Sequence, residues 1–164
     1  MFNFDFTNVK NSTPPSAAGV YQVKINSVEA YESQTGNARI RLRATVEEGK
    51  HKGCSITDGI NLPKAPEDKV LGIWLRFFNS LGMSPSEVQE TFAKDFKTMD
   101  EAADHIAKHI SDLVGYCYYA PAVDDNSWPT RKWVTADQYT SSQDIKEGKG
   151  NGKTTDALND FMSF

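Results

Sequence analysis

Residues 38–46 read Ala-Arg-Ile-Arg-Leu-Arg-Ala-Thr-Val, with an apolar residue at every even position and a polar one at every odd position. Successive side chains of a β-strand point to opposite faces. The stretch therefore predicts a strand with one face on a core and with Arg39, Arg41 and Arg43 in a row on the other. At about 3.3–3.4 Å per residue, neighbouring guanidinium groups lie roughly 6.6–6.8 Å apart. This is close to the spacing of phosphates along an extended nucleic-acid strand, but the same alternation is typical of a solvated antiparallel sheet.

Two further strands are predicted beside this one. The first runs from about Gly19 to Ser33, with a bulge near Asn26 because the apolar parity changes there. A turn at 34–37 joins it to the arginine strand, and a glycine-containing turn at 47–53 leads to a third strand over 54–62. Asp58 interrupts the apolar parity of that third strand.

Helical periodicity replaces the strand pattern after Pro63 and Pro66. It predicts a helix over 67–81, a second over 84–93 that begins at the capping residue Ser84, and a third from about Thr98 to Ile110. Strand character returns over 113–123 and 127–135. The predicted order is thus three strands, a helical segment and two strands.

This order predicts a mainly β protein with a helical insert (α+β), and specifically an OB-fold. That fold is a five-stranded Greek-key barrel, here with helices between strands three and four. A β-sandwich of similar strand count is the open alternative. The predicted organisation is an N-terminal arm and linker at 1–18, an OB-fold domain at 19–136 with its insert at about 66–112, a flexible linker at 137–155 and a disordered interaction tail at 156–164.

Composition fits a single domain of 164 residues with a net charge of -4. The charge is unevenly distributed. Residues 38–76 hold eight Lys or Arg against five Asp or Glu, whereas residues 84–112 hold seven acids against three lysines. A cationic surface can therefore exist in an acidic protein. The start lacks the basic and apolar regions of a signal peptide, and no apolar run is long enough to span a membrane, so we expect a cytoplasmic protein.

Aromatic residues on the predicted strands could stack on nucleic-acid bases. The candidates are Tyr21, Tyr31, Tyr116, Tyr118, Tyr119, Trp128 and Trp133. Trp128 and Trp133 differ by an odd number, so a regular strand would expose one of them, and Trp133 beside Arg131 is the preferred candidate. The predicted site for single-stranded DNA comprises Arg39, Arg41, Arg43, Lys50, Lys52, Tyr116, Tyr118, Trp128, Arg131, Lys132 and Trp133.

The C-terminal segment regains large apolar residues after a polar linker. Asp156, Asp160, Phe161 and Phe164 are predicted to bind a partner protein, by aromatic insertion and by acidic contacts with basic groups. In the absence of DNA, the same tail could cover the protein's own cationic surface.

Enzymatic chemistry has little support in the sequence. His105 and His109 share a helix face, but neither an HExxH nor a paired CxxC motif accompanies them. Cys54 and Cys117 lack the surroundings of a catalytic nucleophile, and the Lys-Gly-Asn-Gly-Lys-Thr run at 149–154 lacks the spacing of a phosphate loop. We therefore expect a protein that is not an enzyme and has no cofactor or metal.

Several segments together resemble bacteriophage single-stranded DNA-binding proteins with an OB-fold. They are the Phe-Asn-Phe-Asp-Phe start, the run Gly19-Val20-Tyr21-Gln22-Val23 with its Gly36-Asn37 hairpin, the turn from Gly49 to Gly53, the run Leu113-Val114-Gly115, and the acidic tail ending in Phe164. The resemblance implies cooperative, sequence-independent coating of single-stranded DNA in replication, recombination or repair, within the cytoplasm of an infected bacterium. It also implies that the tail recruits replication or recombination proteins, with Phe164 as the anchor. RNA binding and homo-oligomerisation stay open, and the alternative function is an OB-fold module that binds proteins or oligosaccharides.

Overall fold

The computed structural model describes residues 2, 4 and 13–146. Within them, five strands and four helices follow one another along the chain. They are β1 (Gly19–Glu32), β2 (Ala38–Val46), β3 (Ser55–Asn61), α1 (Val70–Ser80), α2 (Pro85–Phe92), α3 (Met99–Ile110), β4 (Val114–Ala120), β5 (Thr130–Val134) and α4 (Ala136–Lys146). The three strands, the helical insert and the two later strands are confirmed in the predicted order.

The five strands form one curled antiparallel sheet in the order β3-β2-β1-β4-β5. β1 is long and pairs with two strands, with β4 along its first half and with β2 along its second half. The register between β1 and β2 shifts between Ile25 and Ser27, which confirms the bulge. The extra residue, Asn26, keeps Val28 and Ala30 on the core side.

The core lies between the inner face of this sheet and helices α1 and α3. From β2 it receives Ile40, Leu42, Ala44 and Val46, which are all fully buried, as the alternation predicts. The aromatic residues of α1 pack onto it, with the rings of Phe77 and Trp133 4.7 Å apart. The core therefore fixes which face of β2 points outward.

Side-chain caps begin α2 and α3. The Ser84 hydroxyl accepts a hydrogen bond from the Glu87 backbone N–H at 3.2 Å, and the Thr98 hydroxyl accepts one from Glu101 N–H at 3.1 Å. Gly82 follows α1 with a φ of 87°, a conformation that glycine adopts without steric cost. The helices of the insert therefore begin and end where the local sequence predicts.

Asp58 joins the two edge strands of the sheet. Its carboxylate on β3 accepts a hydrogen bond of 2.8 Å from the indole Nε1 of Trp133 on β5 and lies 3.4 Å from the Nε of Arg131. The side chain of Asp58 is only 13% exposed. The residue that interrupts the apolar parity of β3 therefore closes the curled sheet through its side chain.

Helix α4 covers part of the outer face of the sheet. Its Tyr139 ring stacks on Tyr116 at 4.6 Å and packs beside a small cluster formed by Val20, Tyr118 and Val134. The Tyr139 hydroxyl also donates a hydrogen bond to the carboxylate of Glu48 in the β2–β3 loop. The predicted flexible linker at 137–155 is therefore wrong over 137–146, where the chain is helical.

No helix in the described part of the chain has the length and hydrophobicity needed to cross a bilayer.

Candidate nucleic-acid interface

The outer face of the sheet has a covered half and an open half. α4 lies over the half formed by β4, β5 and the start of β1. The other half is formed by the end of β1 together with β2 and β3, and we call it the open face. The strand register places on it Lys24, Ser27, Glu29, Tyr31, Arg39, Arg41, Arg43, Thr45, Ser55, Thr57, Gly59 and Asn61.

The side chain of Arg39 is held by a hydrogen bond to the backbone of the sheet. Its Nη2 donates a hydrogen bond of 2.6 Å to the carbonyl oxygen of Gly59 on β3. Its Nε is buried and has no hydrogen-bond partner among the described residues. Arg39 therefore has less freedom than the other two arginines to meet a ligand.

Arg41 and Arg43 present their guanidinium groups more openly. Arg41 Nη1 lies 3.1 Å from Glu29 Oε1, and Arg43 Nη2 lies 3.4 Å from the same oxygen. The Arg43 side chain is 56% exposed. The row predicted from the alternation exists, but its members differ in how firmly the fold holds them.

Tyr31 lies across the arginine row. Its hydroxyl would be 2.5 Å from a Cβ atom added to Gly59, so the ring extends from β1 over β2 towards β3. The Cζ of Arg41 is 4.3 Å from the ring centroid, within cation–π range. Only a residue without a side chain at position 59 allows this arrangement.

Tyr31 is one of the stacking candidates, but the site predicted from the sequence does not include it. A signal for it was present, because the bulge at Asn26 moves the odd positions of late β1 to the same face as the arginines. Tyr31 pairs directly with Arg39 in the antiparallel register.

Lysines lie near both ends of the row. Lys64 Nζ donates a hydrogen bond of 2.9 Å to the side-chain oxygen of Asn37, which immediately precedes β2. Lys50 and Lys52 lie in the loop that follows β2, and both are exposed. Lys50 also lines a shallow pocket of about 470 Å³ beside Tyr139.

Most of the predicted stacking residues are buried or covered, and Tyr21 and Tyr119 belong to the hydrophobic core. Tyr116 and Tyr118 lie on the covered half, where Tyr139 stacks on the first and the second is buried. Trp133 is only 5% exposed, and its indole N–H is bonded to Asp58. The preference for Trp133 as the exposed tryptophan is wrong, because Trp128 is 86% exposed instead.

The basic residues of β5 are also separate from the arginine row. Arg131 forms the ion pair with Asp58, and Lys132 pairs with Tyr118 in the β4–β5 register on the covered half. Trp128 precedes β5 in the β4–β5 loop. The structure thus brings together Arg39, Arg41 and Arg43 but not the aromatic and basic residues predicted on β4 and β5.

Burial raises the pKa of Asp58 above its usual value. The bond from Trp133, the charge of Arg131 and the backbone N–H of Gly59 oppose this rise, and the charge of Arg39 opposes it more weakly. Burial likewise raises the pKa of the Cys117 thiol, which disfavours the reactive thiolate.

The histidines of α3 take part in packing. His105 Nε2 is 2.7 Å from the carbonyl oxygen of Thr91, and its ring lies 4.7 Å from that of His109. Within the described residues, no group of three or more His, Cys, Asp or Glu side chains is arranged to hold a metal ion.

The predicted tail residues Asp156, Asp160, Phe161 and Phe164 lie outside the described residues. Their role in partner binding stays a prediction.

No curated protein is significantly similar in sequence to the chain. A family model does match residues 2–107, a range that contains β1, β2, β3 and all the residues of the open face. The chain therefore belongs to the family described as protein of unknown function (DUF669).

Proposed function

We propose that the protein binds single-stranded DNA without sequence preference, on the open face. The observation that carries this proposal is the row of Arg41 and Arg43 beside the Tyr31 ring, on a sheet surface that no described helix covers. Guanidinium groups bind phosphate oxygens in a planar, two-pronged geometry. An aromatic ring next to them offers a surface on which any base can stack.

The architecture supports the proposal. The strand order, the helices between β3 and β4, and the Asp58 contacts between the two edge strands fit an OB-fold better than a sandwich of two sheets. In OB-folds, the face of strands two and three binds oligonucleotides and oligosaccharides. The open face comprises the same strands.

Charge favours a nucleic acid over a neutral sugar. The open face has four basic side chains, Lys24, Arg39, Arg41 and Arg43, against the single acid Glu29. Lys64 adds a further positive charge near one end of the row. We propose that coating of single-stranded DNA in replication, recombination or repair is the context in which this surface acts.

Fluorescence titration of the full chain with oligo(dT), at low and at high salt, tests the proposal. Trp128 is exposed and provides a reporter, and a strand end-labelled with a dye provides a second signal. The logarithm of the binding constant should fall linearly with the logarithm of salt concentration, by about 0.7 per phosphate neutralised. If neither signal changes at low salt, the protein does not bind single-stranded DNA. Oligo(U) in parallel separates DNA from RNA preference.

Arg43→Ala is expected to weaken binding several-fold and to lower the salt slope by about 0.7, because one phosphate contact is lost. Arg76→Ala is the matched control, since Arg76 is an exposed arginine on α1, which packs against the opposite face of the sheet. Equal losses in the two variants would contradict a site on the open face. They would indicate that only the overall charge matters.

A further inference from the structure

Glu29 holds two arginines with a single oxygen. Its Oε1 lies 3.1 Å from Arg41 Nη1 and 3.4 Å from Arg43 Nη2. The three residues belong to adjacent antiparallel strands, where Glu29 is directly opposite Arg41 and Arg43 is opposite Ser27. One anionic oxygen between two guanidinium groups is the arrangement that a phosphate oxygen would adopt there.

We propose that Arg41 and Arg43 form a phosphate-binding site and that Glu29 occupies it as a built-in competitor. This inference rests on the proposed function and adds a specific position to it. A backbone phosphate of the bound strand replaces the Glu29 carboxylate between the two arginines. The carboxylate turns towards solvent as the phosphate binds.

The exposure of the three side chains makes this exchange feasible. Glu29 is 48% exposed, so its carboxylate reaches water without any rearrangement of the core. Ion pairs at such exposed positions add little to folding stability, and their loss on ligand binding is easily offset. Arg39 offers no equivalent site, because its guanidinium group is bonded to the Gly59 carbonyl.

The neighbouring Tyr31 ring places an aromatic surface at one side of the proposed phosphate site. Arg41 contacts both Glu29 and the Tyr31 ring, so a phosphate in the Glu29 position lies next to an aromatic surface. A nucleotide carries both a phosphate and a planar base, so it can use the arginines and the Tyr31 ring together. A free inorganic anion uses only the arginines.

Glu29→Gln tests the inference, since it keeps the size of the side chain and removes its charge. We expect this variant to bind oligo(dT) about three- to tenfold more tightly at low salt, because the phosphate no longer displaces an anion. The gain should shrink as salt is added. Tyr31→Ala in the same assay tests the adjacent base position and should weaken binding of oligo(dT).

Glu32→Gln is the matched control. Glu32 lies three residues further along β1, is exposed and forms no ion pair within the described residues. Its loss changes the net charge of the protein by the same amount. We expect less than a twofold change in affinity for this variant, and thermal unfolding shows whether either variant alters the fold.

Tighter binding by Glu29→Gln alone supports the inference. Unchanged or weaker binding by Glu29→Gln overturns it, and so does an equal gain in Glu32→Gln, which would indicate a general charge effect. These results leave the proposed function intact as long as the wild-type chain binds oligo(dT). Absence of binding by the wild-type chain at low salt refutes the proposed function itself.

Discussion

Replacement of Asp58 measures how much the side-chain contact between β3 and β5 contributes to stability. Asp58→Ala removes the acceptor of the Trp133 indole N–H and the partner of Arg131. Asp58→Asn keeps an oxygen that can accept the indole hydrogen bond but removes the negative charge. The two variants together separate hydrogen bonding from charge.

The magnitude follows from the burial of these groups. The Trp133 indole is nearly inaccessible to water, and a buried donor left without an acceptor costs about 1–3 kcal/mol. Arg131 is 28% exposed and can turn to water, so its contribution is smaller. We therefore expect Asp58→Ala to lower the free energy of unfolding by about 2–3 kcal/mol at neutral pH, and Asp58→Asn by clearly less, since its amide oxygen still accepts the indole hydrogen bond.

The pH dependence has a definite sign. Because burial raises the pKa of Asp58 in the folded protein, the folded state tolerates the protonated carboxyl better than the charged one. Its contribution to stability is greatest below the unfolded pKa of about 3.9 and is lost as the pH rises through the folded pKa. The stability of the wild-type chain relative to Asp58→Asn should therefore increase as the pH is lowered from 8 to 4.

Urea unfolding at several pH values, followed by tryptophan fluorescence, measures this difference, and equal m values in the two proteins validate the comparison. A relative stability that instead increases with pH would refute the reasoning. It would mean that Arg131 and Trp133 stabilise the charged carboxylate by more than burial destabilises it.

Three further predictions concern other parts of the fold. Cys54 is half-buried and Cys117 is fully buried, so a thiol reagent should modify Cys54 in the native protein and Cys117 only on unfolding. Equal rates of modification of the two thiols in the native protein would contradict the core position of Cys117. Gly115→Ala should lower the free energy of unfolding by about 1–3 kcal/mol, since the new Cβ would lie 2.6 Å from a side-chain carbon at the end of α1. Gly72 lies inside a helix with open space around it, so Gly72→Ala should raise the free energy of unfolding by about 0.5–1 kcal/mol. Urea unfolding measures both changes. Tyr139→Phe removes the hydroxyl bonded to the β2–β3 loop and should speed amide hydrogen exchange in α4, and unchanged exchange would show that the ring stack alone holds this helix.

Local patterns predict much of the fold because their causes are local. The alternation in β2 fixes which side chains are buried, and the parity change near Asn26 reveals the bulge. Ser84 and Thr98 mark helix starts because a hydroxyl next to the first turn bonds a free backbone N–H. None of these effects needs knowledge of a distant residue.

The misassigned site residues depend on distant contacts. Asp58 and Trp133 are 75 positions apart, and only the curling of the sheet brings them together. The parity of β5 shows that its faces differ, but it cannot show that α1 covers one face and α4 the other. Helix α4 itself has no apolar periodicity, and a single tyrosine, Tyr139, provides its ring stack on the sheet.

The bulge in β1 makes the open face possible. Before Asn26, the odd positions of the strand face the core, and after Asn26 the even positions face it. The inward-facing parity of β1 therefore changes at the bulge. Pairing of Asn26 as an ordinary strand residue, without a bulge, would turn Glu29 and Tyr31 inward and expose Val28 and Ala30 in their place. The charge pattern opposite the arginines therefore depends on how β1 pairs at the bulge as much as on its composition. A shift of that pairing by one residue would remove the interface while leaving every arginine in the sequence.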